Sequence, residues 1–148
     1  MTERFVHRHL PYLLARASHV LWRGFEPQVR AAGLNSLEWR VLATLSDGGA
    51  LTVGELALEV LAKQPTLTKS LDRLQAQGWV ERRADPLDAR RAQVRLLPAG
   101  RRKVQPLLEA AARHEADRLR ALGLADAAPL RAALQALLRR RDGDAGAG

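Results

Sequence analysis

Residues 52–97 constrain the fold of this chain more than any other stretch. Thr52 and Glu55 have capping-box spacing, in which the hydroxyl accepts a backbone amide and the carboxylate accepts one in return. They predict a short helix with Leu56, Val60 and Leu61 turned inward. Three residues further on, Pro65 stands at a helix start, where its missing N–H costs nothing. Leu67, Leu71 and Leu74 then share one helical face, and Gly78 suits a C-terminal cap. Residues 79–83 read as a strand, 84–91 as a charged loop around Pro86, and 93–97 as the returning strand. Two short helices joined by a tight turn form a helix-turn-helix. A β-hairpin directly behind them makes a winged helix, and the ordered pair is more specific than either half.

The flanks read as helices. Leu10, Leu13, Leu14, Ala17, Leu21 and Phe25 have helical spacing, with Pro11 in the first turn. Pro27 is expected to kink or break this helix, and Gly33 follows as punctuation. Asn35 and Glu38 form a second capping-box pair, opening a helix with Leu37, Val41, Leu42 and Leu45 inward. It ends at Ser46-Asp47-Gly48-Gly49, and Leu51 adds a short strand residue. Pro98 starts a helix reaching about Leu122, with Pro106 expected to kink it and Gly123 to stop it. Residues 126–141 form a last helix, and 142–148 read as a flexible tail. The expected fold is mainly α with a small β-hairpin, in a single domain over 1–148. A winged helix-turn-helix lobe at 35–97 lies between helices at 8–33 and 98–141. Leu107, Leu108, Leu119, Leu122, Leu130, Leu134, Leu137 and Leu138 give more apolar surface than so small a core covers. They predict that the flanking helices pair with a second copy of the chain in a symmetric dimer.

Charge narrows the partners. Residues 63–103 carry 11 basic and 4 acidic groups, net +7 of the chain's +8. A basic segment concentrated inside a folded region is the footprint of a polyanion, here double-stranded DNA. The chain has no cysteine, which excludes disulfides, thiolate zinc sites and thiol redox switches. His7, His9, His19 and His114 lack the spacing of a metal site, so neither metal nor cofactor is expected. No G-x-S-x-G, P-loop or G-x-G-x-x-G occurs, so an enzyme is not expected. No charge-free run approaches the roughly 20 residues of a membrane span, and the start lacks the apolar core of a signal peptide. A cytoplasmic location with no membrane partner follows as the expectation.

On the second helix of the helix-turn-helix, Thr66, Lys69 and Arg73 are three and four apart and share a face opposite Leu67, Leu71 and Leu74. A major groove admits such a helix. Thr66, Thr68 and Lys69 are assigned to base edges or nearby phosphates, and Arg73, farther along, to a phosphate. Arg90 and Arg91 occupy the wing, where Arg90 suits a narrow minor groove and Asp88 is placed to orient it. The competing reading is a winged-helix protein–protein adaptor without sequence-specific DNA binding. An adaptor face needs apolar anchors, whereas this segment concentrates arginine.

Several segments carry a family resemblance. They are Gly33-Leu34, Glu38-Trp39-Arg40-Val41-Leu42, Asp72-Arg73-Leu74, Gly78-Trp79-Val80-Glu81-Arg82, Asp85-Pro86-Leu87-Asp88-Ala89-Arg90 and Leu96-Leu97-Pro98-Ala99-Gly100-Arg101. In this order the chain resembles the multiple-antibiotic-resistance regulator (MarR) family of bacterial transcription regulators, from about residue 10 to 140. The most specific piece is Asp-x-x-Asp-x-Arg at Asp85, Asp88 and Arg90. Leu97, where the family often has Thr or Ser, and Pro27 depart from the pattern. The resemblance implies a homodimer joined through its terminal helices. It also implies a repressor gripping a pseudo-palindromic operator, with the wing arginine at Arg90. It further implies release by a small aromatic carboxylate bound between the dimer helices and the DNA-binding lobe. His19, Trp22, Arg23, Trp39 and Arg40 are the candidate residues for that ligand.

Overall fold

The computed structural model describes residues 2–144, with side chains through 139. The chain divides into two compact units, residues 1–112 and 113–148, where the sequence predicts one domain. The helix that crosses the boundary is responsible for the difference. Its buried residues, Gly100, Val104 and Leu107, all lie in its first half.

The first unit opens with a 3₁₀ turn, Phe5–Arg8, and helix α1, Leu10–Ala31. Pro27 does not break α1, contrary to expectation. It removes one i→i−4 hydrogen bond near the C-terminal end of the helix, and the buried Phe25 and Val29 on either side hold the helix to the core despite that loss. Asn35 caps α2, Ser36–Leu45: Glu38 N–H donates to Asn35 Oδ1 (2.8 Å) and Asn35 N–H to Glu38 Oε1 (3.0 Å). Strand β1, Leu51–Thr52, leads into α3, Val53–Glu59, through the Thr52–Glu55 capping box. Helix α4, Gln64–Ala76, buries Leu67, Leu71 and Leu74 as the spacing predicts. Gly78 follows at φ +75°, and Trp79 N–H closes the cap onto Leu74 O (3.1 Å).

Strands β2, Val80–Arg83, and β3, Gln93–Leu96, form the hairpin, and β1 joins β3 to make an antiparallel sheet ordered β1-β3-β2. The register pairs Val80 with Leu96, Glu81 with Arg95 and Leu51 with Val94. Val80 and Val94 face the core, where they meet residues of α1, α2, α3, α4 and the start of α5, Pro98–Ala121.

Two burial assignments change. Leu61 is 83% exposed. Its N–H donates to Leu58 O (3.3 Å) and Ala62 N–H to Ala57 O (3.1 Å), so α3 ends in a Schellman motif. Leu61 occupies its left-handed position at φ +56°, which turns the side chain out of the helical face. Leu107, expected to await a partner, lies in the core of its own unit at 7% exposure.

The second unit holds the remainder of α5, a stop at Gly123 (φ +71°) and α6, Ala128–Asp144. Arg131 pairs with Glu115 at 3.3 Å. Helix α6 takes in residues 142–144 of the expected tail, and 145–148 lie outside the described residues. Leu122, Leu130, Leu137 and Leu138 are exposed. Among the described residues no helix is long and apolar enough to cross a membrane.

Candidate nucleic-acid interface

Helix α4 is anchored by three leucines, so its opposite face is free to meet a partner. Thr66, Thr68, Lys69 and Arg73 are all exposed there. Thr68 turns its hydroxyl back onto its own helix, donating to Gln64 O (2.9 Å). Lys69 makes no hydrogen bond or ion pair among the described residues, so its ammonium is free for an anion. Arg73 differs. Its Nη2 donates to Gly33 O (3.0 Å), and its Nη1 lies 3.2 Å from Glu38 Oε1. The phosphate role expected of Arg73 therefore competes with ties inside the chain.

The wing is built by two aspartates. Asp85 Oδ1 accepts the amides of Leu87 (2.8 Å) and Asp88 (3.1 Å), an Asx turn that fixes the loop. Asp88 Oδ1 accepts the amide of Arg90 (2.9 Å) and lies 3.6 Å from Arg90 Nε. Arg91 Nε lies 3.9 Å from Asp85 Oδ2. The Leu87 and Asp88 amides, with Arg91 adding a smaller attraction, hold the Asp85 carboxyl below the ordinary carboxylate range. Arg90 and Arg91 stay exposed, with backbones set by hydrogen bonds and heads in solvent. Val53 N–H donates to Ala92 O (2.9 Å), which joins the start of α3 to the wing.

Other arginines of the basic segment are already engaged. Arg82 pairs with Asp72 and donates to Gln75 Oε1 (2.7 Å). Arg95 pairs with Glu81 across the strands (2.6 Å), and Arg101 donates to Ser46 O (2.9 Å). Net charge overstates the free cations. Among the described residues of this segment, Lys63, Lys69, Arg83 and Arg102 have no hydrogen bond or ion pair, Lys103 stands over the Trp79 ring (5.1 Å), and Arg90 and Arg91 are held only loosely.

A cleft of about 300 Å³ opens between α1 and α2, lined by Ala15, Ser18, His19, Trp22, Ser36, Trp39 and Arg40. Four of the five residues expected at a ligand site line it, and Arg23 does not. Phe25 braces its wall, with ring centroids 6.3 Å from Trp22 and 5.3 Å from Trp39. Arg40 Nε is buried without a hydrogen-bond partner, a state that a bound acceptor would relieve. Ser18 and Ser36 were not anticipated, and their helical offsets from Trp22 and Trp39 were the available signal. Among the described residues no group of His, Asp and Glu is arranged to hold a metal ion.

The fold and this surface define a winged helix-turn-helix protein. A family profile, the MarR family, matches residues 32–91. The repressor IacR of Pseudomonas putida is 30% identical over 66% of this chain and 59% of its own. The chain spans 58% and 59% of the length of the first curated relatives it matches. The MarR family transcriptional regulator SPO1453 of Silicibacter pomeroyi superposes with a TM-score of 0.80. It is 39% identical, over 93% of this chain and 98% of its own. NadR, solved in complex with 4-hydroxyphenylacetate, is 26% identical with a TM-score of 0.78, over 93% of this chain and 97% of its own. The chain belongs to the MarR family.

Proposed function

We propose that the protein is a homodimeric, DNA-binding transcription repressor acting in the cytoplasm. Its lobe at residues 35–97 sets the N-terminal half of α4 into a major groove, with Thr66, Thr68 and Lys69 toward base edges and phosphates. Arg90 enters the adjacent minor groove, and Arg91 lies along the backbone. The observation that carries this reading is the Asp85–Asp88 scaffold. It holds two exposed arginines on a preset loop beside a helix whose free face presents an unpaired lysine. The terminal helices, 8–33 and 98–141, join two copies, which suits a pseudo-palindromic operator. Exposed Leu10, Leu13 and Leu21 in one stretch, and Leu122, Leu130, Leu137 and Leu138 in the other, supply apolar surface for that interface.

The cleft between α1 and α2 takes a small aromatic carboxylate. Trp22 and Trp39 supply the aromatic walls, and Arg40 is the cation placed to meet the carboxylate. The complex of NadR with an aromatic acid supports this reading. Arg90→Ala tests the DNA assignment on a duplex selected from a random pool by the wild-type protein. It is expected to lose most of the affinity while the dimer survives on a sizing column. Unchanged affinity would remove Arg90 from the interface. For the ligand, 4-hydroxyphenylacetate and related aromatic acids are expected to quench Trp22 and Trp39 fluorescence and to release the duplex. No quenching across such a panel would count against the cleft.

A further inference from the structure

We propose that Arg73 is a positioning residue that fixes the rotation of the recognition helix, rather than a phosphate contact. The proposal rests on the DNA-binding reading above. Arg73 lies in the third turn of α4 and points back into its own protein. One guanidinium arm donates to the carbonyl of Gly33, just past the end of α1 (3.0 Å). The other lies 3.2 Å from Glu38 Oε1 in the first turn of α2. Three helices therefore meet on one guanidinium.

Glu38 makes the tie hard to release. Its side chain is fully buried, at 0% exposure. Oε1 serves two donors, the Asn35 amide of the capping box (3.0 Å) and Arg73. Oε2 is buried with no partner. A buried carboxylate that already lacks one partner is left uncompensated if its cation departs, a far larger loss than an exposed pair would suffer. Moving Arg73 to a phosphate would impose that loss.

Leu67, Leu71 and Leu74 pack α4 in a largely non-directional way, and its other directional ties, from Asp72 and Gln75 to Arg82, run to the strand that follows it rather than to α1 and α2. A planar guanidinium bonded at two arms is directional. Thr66, Lys69 and Arg73 share a face, so fixing Arg73 fixes where Thr66 and Lys69 point.

The test uses the full chain and a duplex selected by the wild-type protein, with affinity measured over a range of salt. Glu38→Gln keeps a capping-box acceptor and removes the charge. Arg73→Met and Glu38→Gln are each expected to weaken binding about tenfold, the size of one misaligned base contact. The double variant should be no weaker than either single one, because both break the same tie. The slope of log affinity against log salt should match wild type in all three. A phosphate contact predicts the opposite: Arg73→Met flattens the slope by about one, and Glu38→Gln binds as well as wild type or better. Any result in which Glu38→Gln leaves affinity untouched overturns the proposal, since Glu38 is buried and acts on α4 through Arg73. If Arg73→Met does not fold, Arg73→Lys decides. Weaker binding at an unchanged slope supports the proposal, and wild-type binding overturns it. A wild-type chain that selects no duplex overturns the DNA-binding reading and this one with it.

Discussion

Gly100 sits where α5 leaves the hairpin, and replacing it with alanine is a sharp test of how the lobe is seated. A Cβ built there falls 2.1 Å from Trp79 O, 2.9 Å from Trp79 C and 2.7 Å from Leu96 Cδ1. The leucine methyl is able to rotate away. The carbonyl is not, because it begins the hairpin and accepts the Leu97 N–H at 2.9 Å. Relieving the overlap means moving backbone, at the ~1–3 kcal/mol typical of overpacking. Losing the Leu97 hydrogen bond adds about 1 kcal/mol. Alanine's better helix propensity returns about 1 kcal/mol. The net is a destabilisation of roughly 2 kcal/mol, which for a chain of this size lowers the melting temperature by about 4–8 °C. Circular dichroism melts at fixed protein concentration measure it directly. A Gly100→Ala protein melting at or above wild type would refute the close approach of α5 to Trp79.

Three further outcomes follow from particular groups. Leu61→Gly removes a left-handed leucine whose side chain is almost wholly in solvent; it should stabilise the fold by up to about 1 kcal/mol in urea unfolding, and a destabilised variant would contradict the Schellman end of α3. Asp85 titrates below its ordinary range, so its carboxylate stabilises the wing fully above that range; the stability is lost as pH falls through the lowered value. Its carboxyl carbon followed by NMR should therefore show a midpoint under ~3.9, and a midpoint at or above that value would remove the Asx turn. Arg40→Met deletes a buried, unpartnered donor; it should melt at or above wild type yet lose quenching by aromatic carboxylates, and a melt several degrees lower would mean that Arg40 is a structural residue.

What the sequence makes legible is local. The Asn35–Glu38 and Thr52–Glu55 boxes set the starts of α2 and α3, because both partners lie within one turn. Leu67, Leu71 and Leu74 point inward because a regular helix keeps its period. Leu61 keeps that period by number, but the chain has already turned left-handed at the end of α3, so the side chain leaves the face. Pro27 looked like a break because the buried Phe25 and Val29 that hold α1 in place are a tertiary effect. The tie from Arg73 to Glu38 and Gly33 spans 35 and 40 residues, a distance no spacing rule covers. The wing was readable because Asp85, Asp88 and Arg90 act within a few residues of one another. The α1–α2 cleft gathers His19, Trp22, Trp39 and Arg40 as expected. Arg23 stays outside it, since adjacent helical residues point about 100° apart.

The central claim is that α4 and the wing together read DNA. The most direct measurement is a fluorescence-polarisation titration of the wild-type protein against a selected duplex and a scrambled one, at about 50 and 200 mM salt, a change that roughly halves the Debye length. The account predicts a preference for the selected duplex of roughly a thousandfold or more, with a loss of similar size between the two salt concentrations. Equal affinity for the two duplexes, with little dependence on salt, would contradict it.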